Sequence, residues 1–219
     1  MLLFNPTVEA FIAVAIIVLV AFPIHEFAHA MAAFQLGDST ARLFGRLTLD
    51  PRAHLDPMGA ILLLVAGFGW AKPTPVNPYN LRGGRSGEAI VAFAGPASNL
   101  VLATAAAIPL RFIFASGMDV PAVVVNTLVI LVSLNLLLMV FNLIPIPPLD
   151  GSKVLFALMN RQTEMRWRPV LEQYGFLILI AAVFLPILPG RETLVGAVVG
   201  QVLDPVYQLL VGQPRFLVR

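Results

Sequence analysis

The sequence predicts an all-α integral membrane protein, a polytopic helical bundle with a short strand or re-entrant element between its first and second full spans. Hydrophobic residues make up 58% of the 219 residues and charged residues 12%, whereas about one quarter of a typical soluble domain is charged. The mean hydropathy is +0.87. Long apolar runs recur along the chain, and the short segments between them hold most of the charges. This is the pattern of a chain that crosses a bilayer several times.

The apolar runs predict the helices of this bundle. They cover residues 6–35, 57–71, 87–116, 121–143, 170–189 and 192–212. A helix needs roughly 20 apolar residues to cross the hydrocarbon core, and all runs except 57–71 reach that length. Whether 192–212 crosses stays open, because Asp204 and Pro205 in its middle would kink a span. We expect residues 1–219 to form a single membrane-embedded domain.

The distribution of basic residues predicts the topology. The first run has no Lys or Arg between Pro6 and Ala33, so it lacks the basic start of a signal peptide and we expect it to be retained as a span. Three segments, 37–57, 72–87 and 144–169, hold ten of the fourteen basic residues. By the positive-inside rule they face the cytoplasm, and the N-terminus lies outside. We expect a multi-pass protein of the cell membrane that has no nucleic-acid partner, since topology accounts for its basic character.

The run 57–71 and the residues before it predict a different kind of element. At about fifteen residues this run is too short to span, and both of its flanks are basic, so we interpret it as a re-entrant or interfacial element. Upstream, Leu43, Leu47 and Leu49 alternate with polar residues, which is compatible with a short strand. An edge in the region 42–56 would be able to pair with an extended peptide.

The first span carries His25, Glu26 and His29 in the pattern His-Glu-x-x-His. Residues four apart lie on the same face of a helix, so both imidazoles can bind one ion, while Glu26 lies about 100° round the axis and can act on a water. This geometry is typical of zinc hydrolases, which use three protein ligands and a nearby carboxylate as general base. The alternative is a structural pair, but ionisable groups inside a membrane are costly and usually functional.

The third ligand must be a histidine or a carboxylate, because the chain has no Cys. Asp150 is the best candidate, since it follows three prolines that break the fourth run near its predicted cytoplasmic end. An Asp before a helix is also an ordinary N-cap. Asp204 remains an alternative ligand with a weaker sequence context.

Two further polar residues are candidates for function. Asn99 follows Gly95 and Pro96 inside the second full span. These residues form either a packing notch or a place where the amide binds another helix or an extended substrate. His54 lies in a basic loop, where it is either an ordinary surface residue or a group that controls substrate entry or zinc.

Three motifs together resemble those of the site-2 protease family of intramembrane zinc metalloproteases. They are His25-Glu-Phe-Ala-His29, Gly95-Pro-Ala-Ser-Asn99 and Asn142-Leu-Ile-Pro-Ile-Pro-Pro-Leu-Asp150-Gly151. The resemblance implies Zn2+ as the cofactor and the three motif-bearing runs, 6–35, 87–116 and 121–143, as the core helices. It implies a role for each site residue: zinc ligation by His25, His29 and Asp150, general base catalysis by Glu26, a position near zinc for Asn142, and substrate binding by Asn99.

The resemblance also implies the activity and the partners. We expect hydrolysis of peptide bonds within or near the transmembrane segments of single-span membrane proteins, at a site towards the cytoplasmic side of the bilayer. Asn142 would then donate a hydrogen bond to the oxyanion. No stretch has the length and polarity of the PDZ or CBS domains of some relatives, so we expect the minimal bacterial or archaeal type. The sequence gives no oligomeric state.

A membrane zinc carrier without hydrolytic activity is the competing hypothesis. Carriers typically contain repeated halves with matching ligands, whereas His-Glu-x-x-His occurs once in this chain. A carrier also has no need of a general base, so the role of Glu26 separates the two hypotheses.

Overall fold

The structure is a computed structural model that describes residues 7–66, 69–186 and 193–215. Helices account for nearly all regular structure in these ranges. They are α1 (Val8–Ile16), a π-helical turn (Ile17–Ala21), α2 (Phe22–Gln35), α3 (Thr40–Leu43), α4 (Pro51–His54), α5 (Pro57–Ala66), a 3-10 turn (Pro78–Asn80), α6 (Arg85–Ser116), α7 (Ala122–Asn142), α8 (Asp150–Leu158), α9 (Arg161–Phe184) and α10 (Leu194–Val211).

Five helical stretches in the described part of the chain are long and apolar enough to cross a membrane. They are Val8–Gln35, Arg85–Ser116, Ala122–Asn142, Arg161–Phe184 and Leu194–Val211. The first joins α1, the π-helical turn and α2 into one helix. Large apolar side chains such as Phe11, Phe112 and Phe176 point outwards and form a lipid-facing surface. The prediction of a polytopic all-α membrane protein is therefore confirmed, and Pro205 does not interrupt the last helix.

The strand predicted around Leu43–Leu49 is wrong. Thr40–Leu43 form a helical turn, and Gly45 follows with a left-handed φ of 69°. The N–H of Gly45 donates to Arg42 O at 3.0 Å and that of Arg46 to Ala41 O at 2.8 Å, which is the Schellman arrangement that ends a helix. The glycine that ends this helical turn therefore decides the local structure, and the alternation of leucines does not. In the described residues of this region, the only strand-like pairing is an isolated bridge between Leu55 and Ala71.

Two Asp-Pro pairs begin the short helices between the first two spans. Asp50 accepts a hydrogen bond from Arg52 N at 3.0 Å, and Asp56 accepts one from Met58 N at 2.9 Å. Each aspartate is an N-cap, and the proline after it has the φ that the first helical turn requires. The second helix, α5, has 10 residues and is about 15 Å long, half the hydrocarbon thickness. It cannot cross the membrane as a helix, and its re-entrant placement stays a prediction.

Asp38 ties the end of the first span to the segment before the second. Its buried carboxylate accepts hydrogen bonds from the N–H and hydroxyl of Thr40, from the N–H of Asn77 and from the side chain of Asn80. Burial by itself raises the pKa of Asp38, but these donors lower the pKa below its ordinary value. The loop between α2 and α6 is thereby fixed at a point close to the membrane.

Helix α6 is the centre of the bundle, with α2, α7 and α8 packed against it. Ala103 and Ala107 of α6 are fully buried and face the apolar residues Val132 and Leu136 of α7. Small residues allow two helices to approach closely inside a membrane. This packing brings together the three elements that carry the sequence motifs.

Candidate active site

The structure brings His25, His29 and Asp150 together. The two Nε2 atoms are 3.0 Å apart, and Oδ2 of Asp150 lies 3.4 Å from His25 Nε2 and 3.2 Å from His29 Nε2. All three residues are buried or nearly so. One ligand atom from each residue therefore points at a common centre between α2 and the start of α8.

The separations of these three atoms fit a zinc ion. Ligand atoms bound to zinc at about 2.0–2.2 Å with tetrahedral angles lie roughly 3.3–3.6 Å apart, and the observed separations of 3.0, 3.2 and 3.4 Å are within about 0.3 Å of that range. Three close protein ligands also leave a fourth position, as catalytic zinc sites do. The donor set, two imidazoles and one carboxylate, is among those that zinc enzymes use.

Hydrogen bonds from both imidazoles to α6 fix their tautomers. His25 Nδ1 donates to Asn99 Oδ1 at 3.1 Å, and His29 Nδ1 donates to the carbonyl oxygen of Val91 at 2.7 Å. With the proton on Nδ1, each Nε2 keeps its lone pair for a metal. Asn99, which the resemblance assigns to substrate, thus touches a ligand directly. Its Nδ2 is buried, and none of the described residues forms a hydrogen bond with it.

Replacing Asn99 with leucine is expected to weaken zinc binding by about 10- to 100-fold, because His25 loses the acceptor that orients its ring. Asn99→Asp keeps an oxygen acceptor and is expected to retain most of the affinity. Competition with a zinc chelator on the purified variants measures the effect. Equal affinities in wild type and Asn99→Leu would contradict this role.

Asp150 is the first residue of α8, and the N-cap is Leu149, whose side chain makes no capping bond. The N-cap alternative for Asp150 is therefore not what the structure shows. Burial raises the pKa of Asp150, but the neighbouring imidazoles, when their Nε2 atoms carry a proton, and the charge of Lys153 bring it well below its ordinary range, so the carboxylate is ionised as metal binding requires. A Cβ on the next residue, Gly151, would lie only 2.7 Å from Ile144 O, so glycine allows this close packing.

Gly95 closes the site on the side of α6. A Cβ built on Gly95 would lie 2.6 Å from His25 Nε2 and closer still to His29 Nε2. Those two nitrogens are the ones that face the common centre, so a methyl group at position 95 would occupy space that a metal needs. Gly95, which the sequence suggested as part of a packing notch, thus lies directly against the two imidazoles of the candidate metal site.

A cleft of about 380 Å³ opens onto the three ligand atoms. Glu26, Asn99 and Asn142 line it together with the ligands. The full lining is Phe22, His25, Glu26, His29, Gly69, Trp70, Ala71, Pro73, Thr74, Val76, Val91, Asn99, Leu138, Phe141, Asn142, Pro148, Leu149, Asp150 and Lys153. The Asn142 amide donates to Leu138 O at 3.0 Å and has a second N–H left for another acceptor.

Two of the sequence candidates lie elsewhere. His54 is fully buried in the loop, where its Nε2 lies 2.8 Å from Thr48 O, and it does not line the cleft. Asp204 forms an ion pair with Arg215 at 3.1 Å and is half exposed. Asp204 is therefore excluded as the third ligand in this structure.

Sequence reasoning missed two polar residues of the cleft. Thr74 donates to the Glu26 carboxylate, and Lys153 Nζ lies 3.8 Å from Asp150 Oδ1, the oxygen that faces away from the imidazoles. Lys153 comes three residues after Asp150 on the same helix, so helical spacing was a usable signal. No such signal pointed to Thr74, because its partner, Glu26, lies 48 residues away in the sequence.

A helical membrane bundle in which an aspartate completes a His-Glu-x-x-His helix has the architecture of the intramembrane metallopeptidases. The chain belongs to peptidase family M50, the site-2 protease family. The sequence model of the family described as "Peptidase family M50" matches residues 112–185, a region that contains α7 and α8.

Several relatives support this membership. "Putative zinc metalloprotease YwhC" of Bacillus subtilis is 42% identical over 176 residues, which are 78% of this chain and 80% of that protein. "Putative zinc metalloprotease Rip2" of Mycolicibacterium smegmatis is 34% identical over 170 residues, 75% of this chain and 64% of that protein. The Mycobacterium tuberculosis protein of the same name is 33% identical over 178 residues and is covered to 66% of its length. No solved structure matches the chain.

Proposed function

We propose that the protein is an intramembrane zinc metalloprotease that hydrolyses peptide bonds within or near the transmembrane segments of other membrane proteins. The observation that carries this proposal is the convergence of His25, His29 and Asp150 in a buried cleft that Glu26 also lines. Family membership and the names of the relatives agree with it.

The three ligands would hold zinc between α2 and α8, and the hydrogen bonds that the imidazoles donate to Asn99 Oδ1 and Val91 O keep them in the metal-binding tautomer. Zinc bound there supplies a Lewis acid that polarises the scissile carbonyl and lowers the pKa of water. The protein's own contribution is a fixed, mostly buried ligand geometry in which little reorganisation accompanies binding.

Glu26 is the general base in this proposal. Its carboxylate takes a proton from the attacking water while the new C–O bond forms, and returns a proton to the leaving amine as the C–N bond breaks. The free N–H of Asn142 is available to donate to the oxyanion that develops on the substrate carbonyl. Both groups line the cleft that holds the ligands.

Substrates of this site are single-span membrane proteins. A helical substrate keeps its carbonyls in hydrogen bonds, so the cleaved segment must unwind before it enters the cleft. The unpartnered Nδ2 of Asn99 is a buried donor in the cleft wall, and it is suited to hold a carbonyl of the unwound segment. Asn99 would then serve both the metal ligand and the substrate.

The active site lies towards the cytoplasmic side of the cell membrane in our proposal. Asp150 opens α8, in the basic segment that links α7 to α9, and Lys72 and Lys153 lie in predicted cytoplasmic segments next to the cleft. These polar segments provide a route for the water that hydrolysis consumes. The domain as a whole consists of the core spans with α5, α9 and α10 around them.

Glu26→Gln tests this function against the carrier hypothesis. In a protease we expect about one zinc per chain to remain and cleavage to fall by at least 1,000-fold, because glutamine keeps the shape of glutamate but cannot accept the proton. Metal analysis of the purified proteins and cleavage of a purified single-span protein in liposomes provide the two readouts. Substantial cleavage by Glu26→Gln would refute the mechanism, and zinc transport by wild-type vesicles without cleavage would favour a carrier.

A further inference from the structure

Residues 71–77, which we name the 71–77 segment, precede α6 and line part of the cleft. The segment is anchored near both ends. Lys72 N donates to His54 O at 2.7 Å, and Asn77 N donates to Asp38 Oδ2 at 2.7 Å. The residues between these two anchors are therefore held in a fixed place beside the first span.

Thr74, in the middle of this segment, contacts Glu26 through two donors. Its backbone N lies 2.8 Å from Glu26 Oε2, and its hydroxyl lies 2.7 Å from the same oxygen and 3.0 Å from the Glu26 backbone oxygen. Pro73 and Pro75 have no N–H and a fixed φ. The N–H of Thr74 is thus the one backbone donor among these three residues, and the prolines restrict the direction in which it points.

We propose that Thr74 is the positioning residue for the general base of the reaction. It binds Oε2 of Glu26 and leaves Oε1, for which the described residues offer no hydrogen bond, to accept the proton of the attacking water. Hydrogen bonds to a carboxylate are stronger and shorter than neutral ones, and a base that is held in place needs less reorganisation in the transition state. This inference rests on the proposed function, because it takes Glu26 to be the base.

The alternative is that Thr74 only fastens the 71–77 segment to α2. In that case the loss of its hydroxyl would weaken the fold or the metal site without a specific effect on turnover. The two roles therefore predict different results for loss of the hydroxyl. If Thr74 positions Glu26, the loss lowers kcat and leaves zinc content and KM nearly unchanged.

The first experiment compares Thr74→Val, Thr74→Ser and Thr104→Val in liposomes with a purified single-span substrate. Valine keeps the backbone N–H and the shape but removes the hydroxyl, and serine restores it. Thr104 is a matched control, because among the described residues its exposed hydroxyl on α6 donates only to Leu100 O at 2.8 Å. We expect about a tenfold lower kcat in Thr74→Val, from the loss of one hydrogen bond to a charged group, with KM and zinc content within about twofold of wild type.

Thr74→Ser and Thr104→Val are expected to retain wild-type kcat within about twofold. The proposal would be overturned if Thr74→Val had the same kcat as Thr104→Val. It would also be overturned if Thr74→Val lost its zinc, or if the kcat of Thr74→Ser were as low as that of Thr74→Val. If the wild type itself fails to cleave, the proposed function fails, and this outcome is distinct from a wild type that cleaves no faster than Thr74→Val.

The second experiment does not depend on activity. Unfolding temperatures of wild type, Thr74→Val, Glu26→Ala and the double variant form a double-mutant cycle. If the hydroxyl binds the Glu26 side chain, Thr74→Val lowers the unfolding temperature in the wild type and changes it far less in Glu26→Ala. Fully additive shifts would mean that the contact is not formed, and the proposal would be wrong.

Discussion

Replacing Gly95 with alanine is expected to remove zinc and all measurable peptide hydrolysis. The added methyl carbon would lie 2.6 Å from His25 Nε2 and closer to His29 Nε2, well inside van der Waals contact. Because α6 is buried at this point between α2 and α8, the helix has little freedom to move away. Zinc analysis of the purified protein and a cleavage assay with a single-span substrate measure the effect.

Gly200→Ala is the matched control for this variant. Gly200 also lies inside a long helix, but apart from its own helix backbone and chain neighbours, no atom of the described residues lies within 4 Å of a Cβ built there. Alanine is the better helix former by about 1 kcal/mol, so this variant is expected to keep its zinc and activity and to be as stable as the wild type or more so. If Gly95→Ala keeps a full zinc complement, the ligands do not lie where the structure places them.

Replacing Arg168 with methionine is expected to destabilise the fold by about 2–4 kcal/mol, because it removes the ion pair of the buried Glu88 and leaves the buried Glu164 with Arg85 alone. Arg168 Nη2 lies 2.8 Å from Glu88, and Nη1 lies 3.2 Å from Glu164. Both glutamates are buried, whereas the arginine side chain is 28% exposed, so solvent screening keeps the loss below that of a fully buried pair. The unfolding temperature in detergent should fall by about 5–10 °C.

Arg166→Met provides the comparison on the same helix. Arg166 is exposed and lies over the ring of Trp167 at 6.0 Å, so its loss is expected to change the unfolding temperature by no more than about 2 °C. Similar shifts for the two variants would show that the contacts of Arg168 do not hold α6 to α9.

The grouping of His25, His29 and Asp150, which could hold a metal ion, could be predicted because each residue has a strong local signal. His25 and His29 share a helical face by spacing alone, and Asp150 follows a proline-rich break that must turn the chain. What the sequence could not give is the distance between α2 and α8, which depends on the packing of both against α6. Asn99 was correctly marked as polar and intramembrane, but its contact with His25 follows from that packing.

The errors and omissions have two causes. The leucines at positions 43, 47 and 49 have the period of a strand, yet the left-handed φ of Gly45 ends a helical turn there instead. Thr74 and Glu88 bind partners 48 and 80 residues away, and spacing within one element carries no information on such pairs. Local patterns predicted the helices well and the contacts between distant segments poorly.

The proposed third ligand, Asp150, lies far downstream of the two histidines, on the other side of two complete spans. During synthesis the ribosome delivers His25 and His29 to the membrane long before α8 exists, and a zinc ion held by two imidazoles alone is bound weakly. The nascent chain therefore lacks a working centre while its first helices insert, and the protein becomes a protease only after most of its bundle has assembled. Zinc bound by the proposed ligands would join an early and a late helix much as a covalent cross-link does, so that loss of the metal should loosen the association of α2 with α8.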